Sequence, residues 1–184
     1  MAWIYNRVSS MEEVPDVCPN IVIKSMWGGR SSIQVEYMIV PIKYVIIQHT
    51  VTPSCNTLSE CARIVTSIQD YHMTQLDFHD IGLNFLVGDD GNIYEGAGWY
   101  KIGAHTYGYN SKSIGLAFIG TFGDKLPSEK ALTAAQNLLD CGVALGALDD
   151  RYKLLGQRQV IATESPGLRL YQEIQNWPHW KSKA

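Results

Sequence analysis

The chain has 184 residues, of which 46% are hydrophobic, enough for one sizeable core and short for two. Fifteen Lys and Arg against eighteen Asp and Glu give a formal net charge of −3, which removes the basic balance that phosphate-backbone recognition needs and argues against nucleic acid as a partner. No run approaches eighteen consecutive apolar residues, so no membrane span is expected.

Residues 1–20 show no periodicity, carry Pro15 and Pro19, and read as an arm tethered by Cys18, with the folded domain over 21–181. The segment 41–48, PIKYVIIQ, is a nearly continuous apolar run rich in Val and Ile and predicts a central strand covered on both faces. Thr57 to Glu60 forms a capping box. It opens a helix whose apolar positions Leu58, Cys61, Ile64, Val65, Ile68 and Tyr71 recur at three- and four-residue spacing, predicting one buried stripe to about His72. Residues 84–87 and 92–95 flank an Asp-Gly turn and predict a hairpin. Residues 114–121, IGLAFIGT, read as a further strand, and Pro127-Ser128 starts a second helix running to about Gly146. A short strand at 152–155 and a helix from Leu168 to about Trp177, stopped by Pro178, complete the chain. The pattern is that of a single α/β domain, a central mixed sheet flanked by about three helices.

Cys18, Cys55, Cys61 and Cys141 match no paired C-x-x-C zinc cluster. Disulfides are favoured over metal, and they imply an oxidising compartment. Cys55 and Cys61 enclose five residues, a gap that closes if the loop turns back into the helix; their pairing leaves Cys18 with Cys141. That second bridge would stabilise the fold by ~4 kcal/mol in the chain-entropy picture. Four buried thiols in a cytosolic protein are the other reading. Residues 1–10, MAWIYNRVSS, lack the basic start and apolar stretch of a secretion signal, so secretion rests on the cysteines.

The five histidines, His49, His72, His79, His105 and His179, form no local metal pair such as H-E-x-x-H. No G-x-S-x-G elbow, Walker loop or G-x-G-x-x-G fingerprint is present. By themselves, His72 at a helix end reads as a cap for the last carbonyls, and His105 as an idle loop histidine. His79 and His179 read as surface or packing residues, and Trp177 with Trp180 as a core-edge anchor. Trp27 and Trp99 fit either a core or a binding platform.

Seven segments carry a more specific signal: MWGGR at 26–30, VIIQHT at 45–50, DIGLNFLVG at 80–88, YEGAGWYKIGAHTYGYN at 94–110, SIGLAFIGTF at 113–122, SPG at 165–167 and NWPHW at 176–180. Together they resemble the peptidoglycan recognition protein family, whose domain is similar to phage-type zinc N-acetylmuramoyl-L-alanine amidases. The resemblance spans 18–180 and implies both disulfides, Cys18 with Cys141 and Cys55 with Cys61. Active members hold zinc with two histidines and a cysteine. At the matching positions this chain has Gln48, Gln157 and Ser165, and Leu83 where the family places an assisting tyrosine. Thr163 keeps a polar residue two positions before the lost cysteine. Neutral amides and a high-pKa hydroxyl are poor replacements for imidazole and thiolate, so no metal, no cofactor and no zinc hydrolysis are expected.

The resemblance also implies muramyl-peptide contacts at His49, Thr50, His72, His105 and Asn110, and the loss of Tyr at Leu83 removes one groove contact. Before Asp-Ile-Gly, diaminopimelate binders carry Gly-Trp and Lys-type binders Asn-Phe; this chain has Asp77-Phe78, preceded by Leu76 where an Arg would clasp the extra carboxylate. Asp77 repels that carboxylate and favours an ammonium, which leans toward Lys-type peptidoglycan. The leading expectation is a secreted, non-catalytic innate-immune receptor that binds peptidoglycan and engages other pattern-recognition proteins and serine proteases of a Toll-type cascade. One alternative is a residual amidase, or a metal-free peptidase in which Ser165 and His49 meet at about 3 Å; another is a decoy without ligand binding.

Overall fold

The computed structural model describes residues 15–184, so the first fourteen residues of the expected arm lie outside the described residues. One six-stranded sheet runs in the order β1-β4-β3-β5-β2-β6. Its strands are β1 (Ile21–Val22), β2 (Ile42–His49), β3 (Phe85–Val87), β4 (Ile93–Glu95), β5 (Ser113–Phe118) and β6 (Leu148–Gly156). The pair β3 and β4 is antiparallel, as the Asp-Gly turn predicts, and the other pairs are parallel, so the sheet is mixed. The apolar run at 41–48 becomes β2, an interior strand between β5 and β6.

Among the described residues three α-helices, α1 (Leu58–Thr74), α2 (Glu129–Ala144) and α3 (Leu168–Ile174), cover the sheet. On one face Ile42, Val45, Ile47, Phe85, Ile114, Leu116 and Phe118 pack against Ala131, Ala135, Leu138, Leu170 and Ile174 of α2 and α3. On the other, Val22, Leu86, Tyr94 and Ala117 pack against Cys61 and Val65 of α1. Alternate residues of β3, β4 and β5 therefore point into two different cores, which is why these strands read as unbroken apolar runs. The apolar partners of α1 come from β1, β4, β3 and β5. It leaves the same face of β2 and β6 without a helix over it.

Thr57 caps α1 by accepting the Glu60 N–H at 3.3 Å. The Glu60 carboxylate reaches back to the N–H of Asn56 rather than of Thr57, at 3.1 Å, closing the box one residue early. Ser128 caps α2 through the Ala131 N–H at 3.2 Å. Several expected bounds move. Strand β6 begins at Leu148, four residues before its predicted start, because Asp149, Asp150 and Arg151 lie on the outer edge of the sheet, where no alternation is required. Helix α3 stops at Ile174, and its last residues tighten into i→i−3 bonds from Asn176 to Glu173 and Trp177 to Ile174. The two-residue β1 is too short to show a period.

Cys18 pairs with Cys141 and Cys55 with Cys61, with Cα–Cα separations of 4.7 and 5.2 Å, and no cysteine is free. The four-thiol reading is thereby set aside. Trp27 and Trp99 are buried core residues, Trp27 donating its Nε1–H to the Glu95 carbonyl at 2.9 Å and Trp99 lying 4.7 Å from Phe85 between ring centroids. Trp177 is buried beside Phe118, and His179 stacks on Tyr152.

Candidate ligand-binding groove

Parallel strands leave a crevice beyond their carboxyl ends. Here β2 ends at His49 and β6 at Gly156, and a groove of about 1080 Å³ opens beside α1. It is lined by Gln48, His49, Thr50, His72, Phe78, Leu83 and His105 among the sequence-singled residues. Asn110, Asp77, Gln157 and Ser165 do not line it.

Parallel pairing sets Ile47 opposite Gly156, so Gln48, which lines the floor, has Gln157 as its neighbour just beneath it. The Gln48 amide donates to His105 Nδ1 at 3.1 Å, and the Thr106 hydroxyl donates to the same nitrogen at 3.0 Å. The Gln157 amide donates to the His105 carbonyl at 2.9 Å and to Thr106 Oγ1 at 3.3 Å. Two donors converging on Nδ1 leave the ring proton on Nε2, which is buried without a bonded partner. Burial drives the His105 pKa down to about 4, opposed only in part by the Ser113 carbonyl. The ring packs on Gly115, where any β-carbon would overlap it.

Asn110 Oδ1 accepts the N–H groups of His105 and Thr106 at 2.9 and 2.7 Å, so its carbonyl oxygen serves the loop beneath the groove. Ser165 Oγ accepts the His49 backbone N–H at 3.2 Å. The His49 ring instead takes the Phe122 N–H on Nδ1 at 3.2 Å, so the ring-to-hydroxyl bond that a Ser165–His49 peptidase needs is not formed. Thr50 Oγ1 accepts the Gly120 N–H at 3.0 Å and shares a hydrogen bond with Thr52 at 2.7 Å.

His72 does not cap its helix: its Nδ1 accepts the Gly82 N–H at 2.9 Å, and its ring lies 5.4 Å from that of Phe78. With Nδ1 accepting in both His49 and His72, each ring carries its proton on Nε2 and has that N–H as its remaining donor in the groove. Burial lowers the pKa of both, favouring these neutral forms. Asp77 has φ of +57°, a left-handed conformation that Asp tolerates better than most residues. Its side chain belongs to an adjacent depression lined also by Glu36, His79 and Lys101, separated from the groove by Phe78 and Ala104, which line both.

Sequence reading missed one wall. Ile68, Tyr71 and Leu76 line the groove, and Tyr71 is 55% exposed where a buried stripe was expected. The buried ridge of α1 is Cys61, Val65 and Gln69. Gln69 bonds the backbone N–H and carbonyl of Arg30 and the Asp80 carboxylate, a polar residue inside an apolar ridge, and that displaced the expected stripe by one position.

As metal donors, Gln48, Gln157 and Ser165 do not fit a zinc ion: two neutral amides and a hydroxyl, each already hydrogen-bonded within the protein. Among the described residues, no group of three or more His, Cys, Asp or Glu could hold a metal ion.

Residues 39–168 match the family model for N-acetylmuramoyl-L-alanine amidase. Peptidoglycan-recognition protein SA of Drosophila melanogaster is 54% identical over 173 residues, 94% of this chain and 85% of that protein. The chain belongs to the peptidoglycan recognition protein family. The Drosophila PGRP-SA structure superposes with a TM-score of 0.89 at 55% identity, covering 91% of this chain and 96% of the other. A second recognition protein, PGRP-LE, was solved in complex with tracheal cytotoxin, a monomeric diaminopimelic acid-type peptidoglycan. It gives a TM-score of 0.86 at 44% identity, over 88% of this chain and 95% of that one. Homo sapiens peptidoglycan recognition protein 3 is 47% identical over 165 residues, 90% of this chain but 48% of its own length. The mixed sheet with its three helices is thus the fold of that family.

Proposed function

We propose that this protein binds the stem peptide of bacterial peptidoglycan in the groove and does not cut it. The observation that carries the reading is the division of labour between floor and rim. Gln48, Gln157, Ser165 and both nitrogens of His105 are engaged or buried inside the protein, whereas His49 and His72 keep an Nε2–H for amide carbonyls or sugar hydroxyls. Ile68, Tyr71, Leu76, Phe78 and Leu83 supply apolar surface beside those donors. Such a groove holds and orients a peptide, while its floor offers two engaged amides and an engaged hydroxyl in place of the donors that would hold a water-activating metal.

The solved PGRP-LE complex with a muropeptide supports the ligand class. Asp77 and the absence of a guanidinium at Leu76 support a preference for the Lys-type stem over the diaminopimelate type, through carboxylate repulsion and ammonium attraction. The two disulfides support an extracellular protein, and no helix among the described residues is long and apolar enough to cross a membrane. Residues 1–20 serve as the tethered arm and 21–181 as the recognition domain. As an immune receptor, the ligand-bound form would engage other pattern-recognition proteins and serine proteases of a Toll-type cascade; a complex of two recognition-protein ectodomains on tracheal cytotoxin is a related precedent.

Calorimetry with purified Lys-type and diaminopimelate-type muropeptides tests the reading. Heat of binding stronger for the Lys-type ligand is expected. Heat with neither ligand would replace the receptor by a decoy, and stronger binding of the diaminopimelate ligand would remove the role given to Asp77.

A further inference from the structure

The sheet face that carries the groove continues, at the other end of β2, into a region that none of the groove residues occupies. Lys43 and Tyr44 near the start of β2 line a depression of about 580 Å³ with Asp149, Arg151 and Lys153 of β6. Tyr109 meets Tyr44 edge to face, with centroids 5.7 Å apart and planes at 89°. The Lys112 ammonium sits 4.1 Å from the Tyr109 centroid and 5.8 Å from that of Tyr44, and the Lys153 ammonium lies 5.7 Å from Tyr44. Two cations thus lean on one ring.

These charges are poorly balanced. Among the described residues Lys43, Lys112 and Lys153 have no carboxylate within salt-bridge distance; Arg151 approaches Asp150 at 3.6 Å with both side chains exposed to solvent. Asp149 is engaged by the backbone N–H of Arg151 at 2.9 Å. Four cations face two carboxylates, in a chain whose net charge is −3. Lys112 and Lys153, at 5.8 and 5.7 Å from the same Tyr44 ring, are like charges that repel one another, and an anion seated between them relieves that repulsion.

We propose that this cluster is a second binding site, for a phosphate group carried on a saccharide or polyol chain. Several compact ammonium charges suit a phosphate more than a single carboxylate, and the half-buried Tyr44 and Tyr109 rings offer an apolar surface to the carbon skeleton beside the phosphate. The cluster is placed to share a polymer with the groove. Tyr44 lies four residues before Gln48 on β2, about 13 Å at strand rise, and side-chain alternation puts both on the same face. The turn that carries Tyr109 and Lys112 also carries Asn110, which anchors the His105 loop. The site stands whether or not the groove accepts a muropeptide.

The test titrates the full chain with a glycerol phosphate oligomer, an oligogalacturonate as a carboxylate polymer, and neutral dextran. The glycerol phosphate oligomer is expected to bind, at least tenfold more weakly to the Lys112→Gln/Lys153→Gln variant and to Tyr44→Ala, and unchanged to Lys125→Gln/Lys130→Gln, which removes the same charge elsewhere. Unaltered thermal unfolding of each variant establishes that the loss is local. No binding of the phosphate oligomer, an equal loss in both lysine double variants, or equal or tighter binding of the oligogalacturonate would overturn the proposal.

Discussion

The floor and the helix wall of the groove obey different rules. The floor, where Gln48, Gln157 and His105 meet, is polar and enclosed; both amides and His105 Nδ1 find partners inside the protein, and only His105 Nε2 is left without one. The wall built by Ile68, Tyr71 and Leu76 is apolar and open, with Tyr71 and Leu76 exposed to solvent. A buried polar network is sensitive to any missing member, because the partner left behind loses its hydrogen bond in a place water reaches poorly. An exposed apolar wall contributes little to the fold and gains when a ligand covers it. Damage to the floor should therefore appear first as lost stability, and damage to the wall as lost affinity alone.

The sharpest way to break this contrast is Gly115→Ala. Its β-carbon would overlap the His105 ring, and displacing that ring undoes the bonds from Gln48 and Thr106; a loss of about 3 kcal/mol of stability is expected in denaturant unfolding. Acidification strikes the same place. His105 has its folded-state pKa lowered to about 4 from an ordinary value near 6.5, so between those values the unfolded chain takes up a proton that the folded one refuses. Its contribution is fully present above pH 6.5 and falls away toward pH 4, by up to about 3 kcal/mol at 1.4 kcal/mol per unit. His49 and His72, also lowered by burial, push in the same direction. Unfolding midpoints measured from pH 7 down to pH 4 check the sign, and a His105→Gln variant should flatten the profile.

On the wall, Tyr71→Ala should leave unfolding within about 0.5 kcal/mol of the parent while weakening muropeptide binding by about tenfold, equivalent to 1.4 kcal/mol. Equal effects of Tyr71→Ala and Gly115→Ala on both readouts would erase the distinction between wall and floor. The smallest effect belongs to Asp77→Asn. The side chain is exposed, so its electrostatic preference for a Lys-type stem should change by only a few-fold and shrink as salt is added, measured as the affinity ratio of the two muropeptides.

Much of this was legible in the residues. The unbroken apolar run of β2, the capping box at Thr57, the Pro127-Ser128 helix start and the Asp-Gly turn locate elements because each is a local rule acting over a few residues. Of the floor, the sequence singled out Gln48 and Gln157 by resemblance but no network: nothing local in Gln48, Thr106 and Gln157 says that all three converge on His105, since parallel pairing of β2 with β6 brings together residues more than a hundred positions apart. His72 misled for a related reason. A histidine in the last turn of a helix has carbonyls to cap, but the Gly82 N–H, supplied by a loop that returns ten residues later, is the stronger claim on its ring. The wall was misplaced because Gln69, an apparent break in the stripe, is fully buried and matched to Arg30 and Asp80. The first residues of β6 escaped because Asp149, Asp150 and Arg151 follow one another on an edge strand, so no apolar alternation marks them.

The central claim is that the groove holds its ligand over a floor unable to cut it. The most direct measurement incubates the protein, saturated with a Lys-type muropeptide, with and without added zinc, and follows the ligand by mass spectrometry. The account predicts that the full ligand mass persists in both samples. Release of the peptide from its lactyl-sugar, or of a terminal residue from the stem, would contradict it.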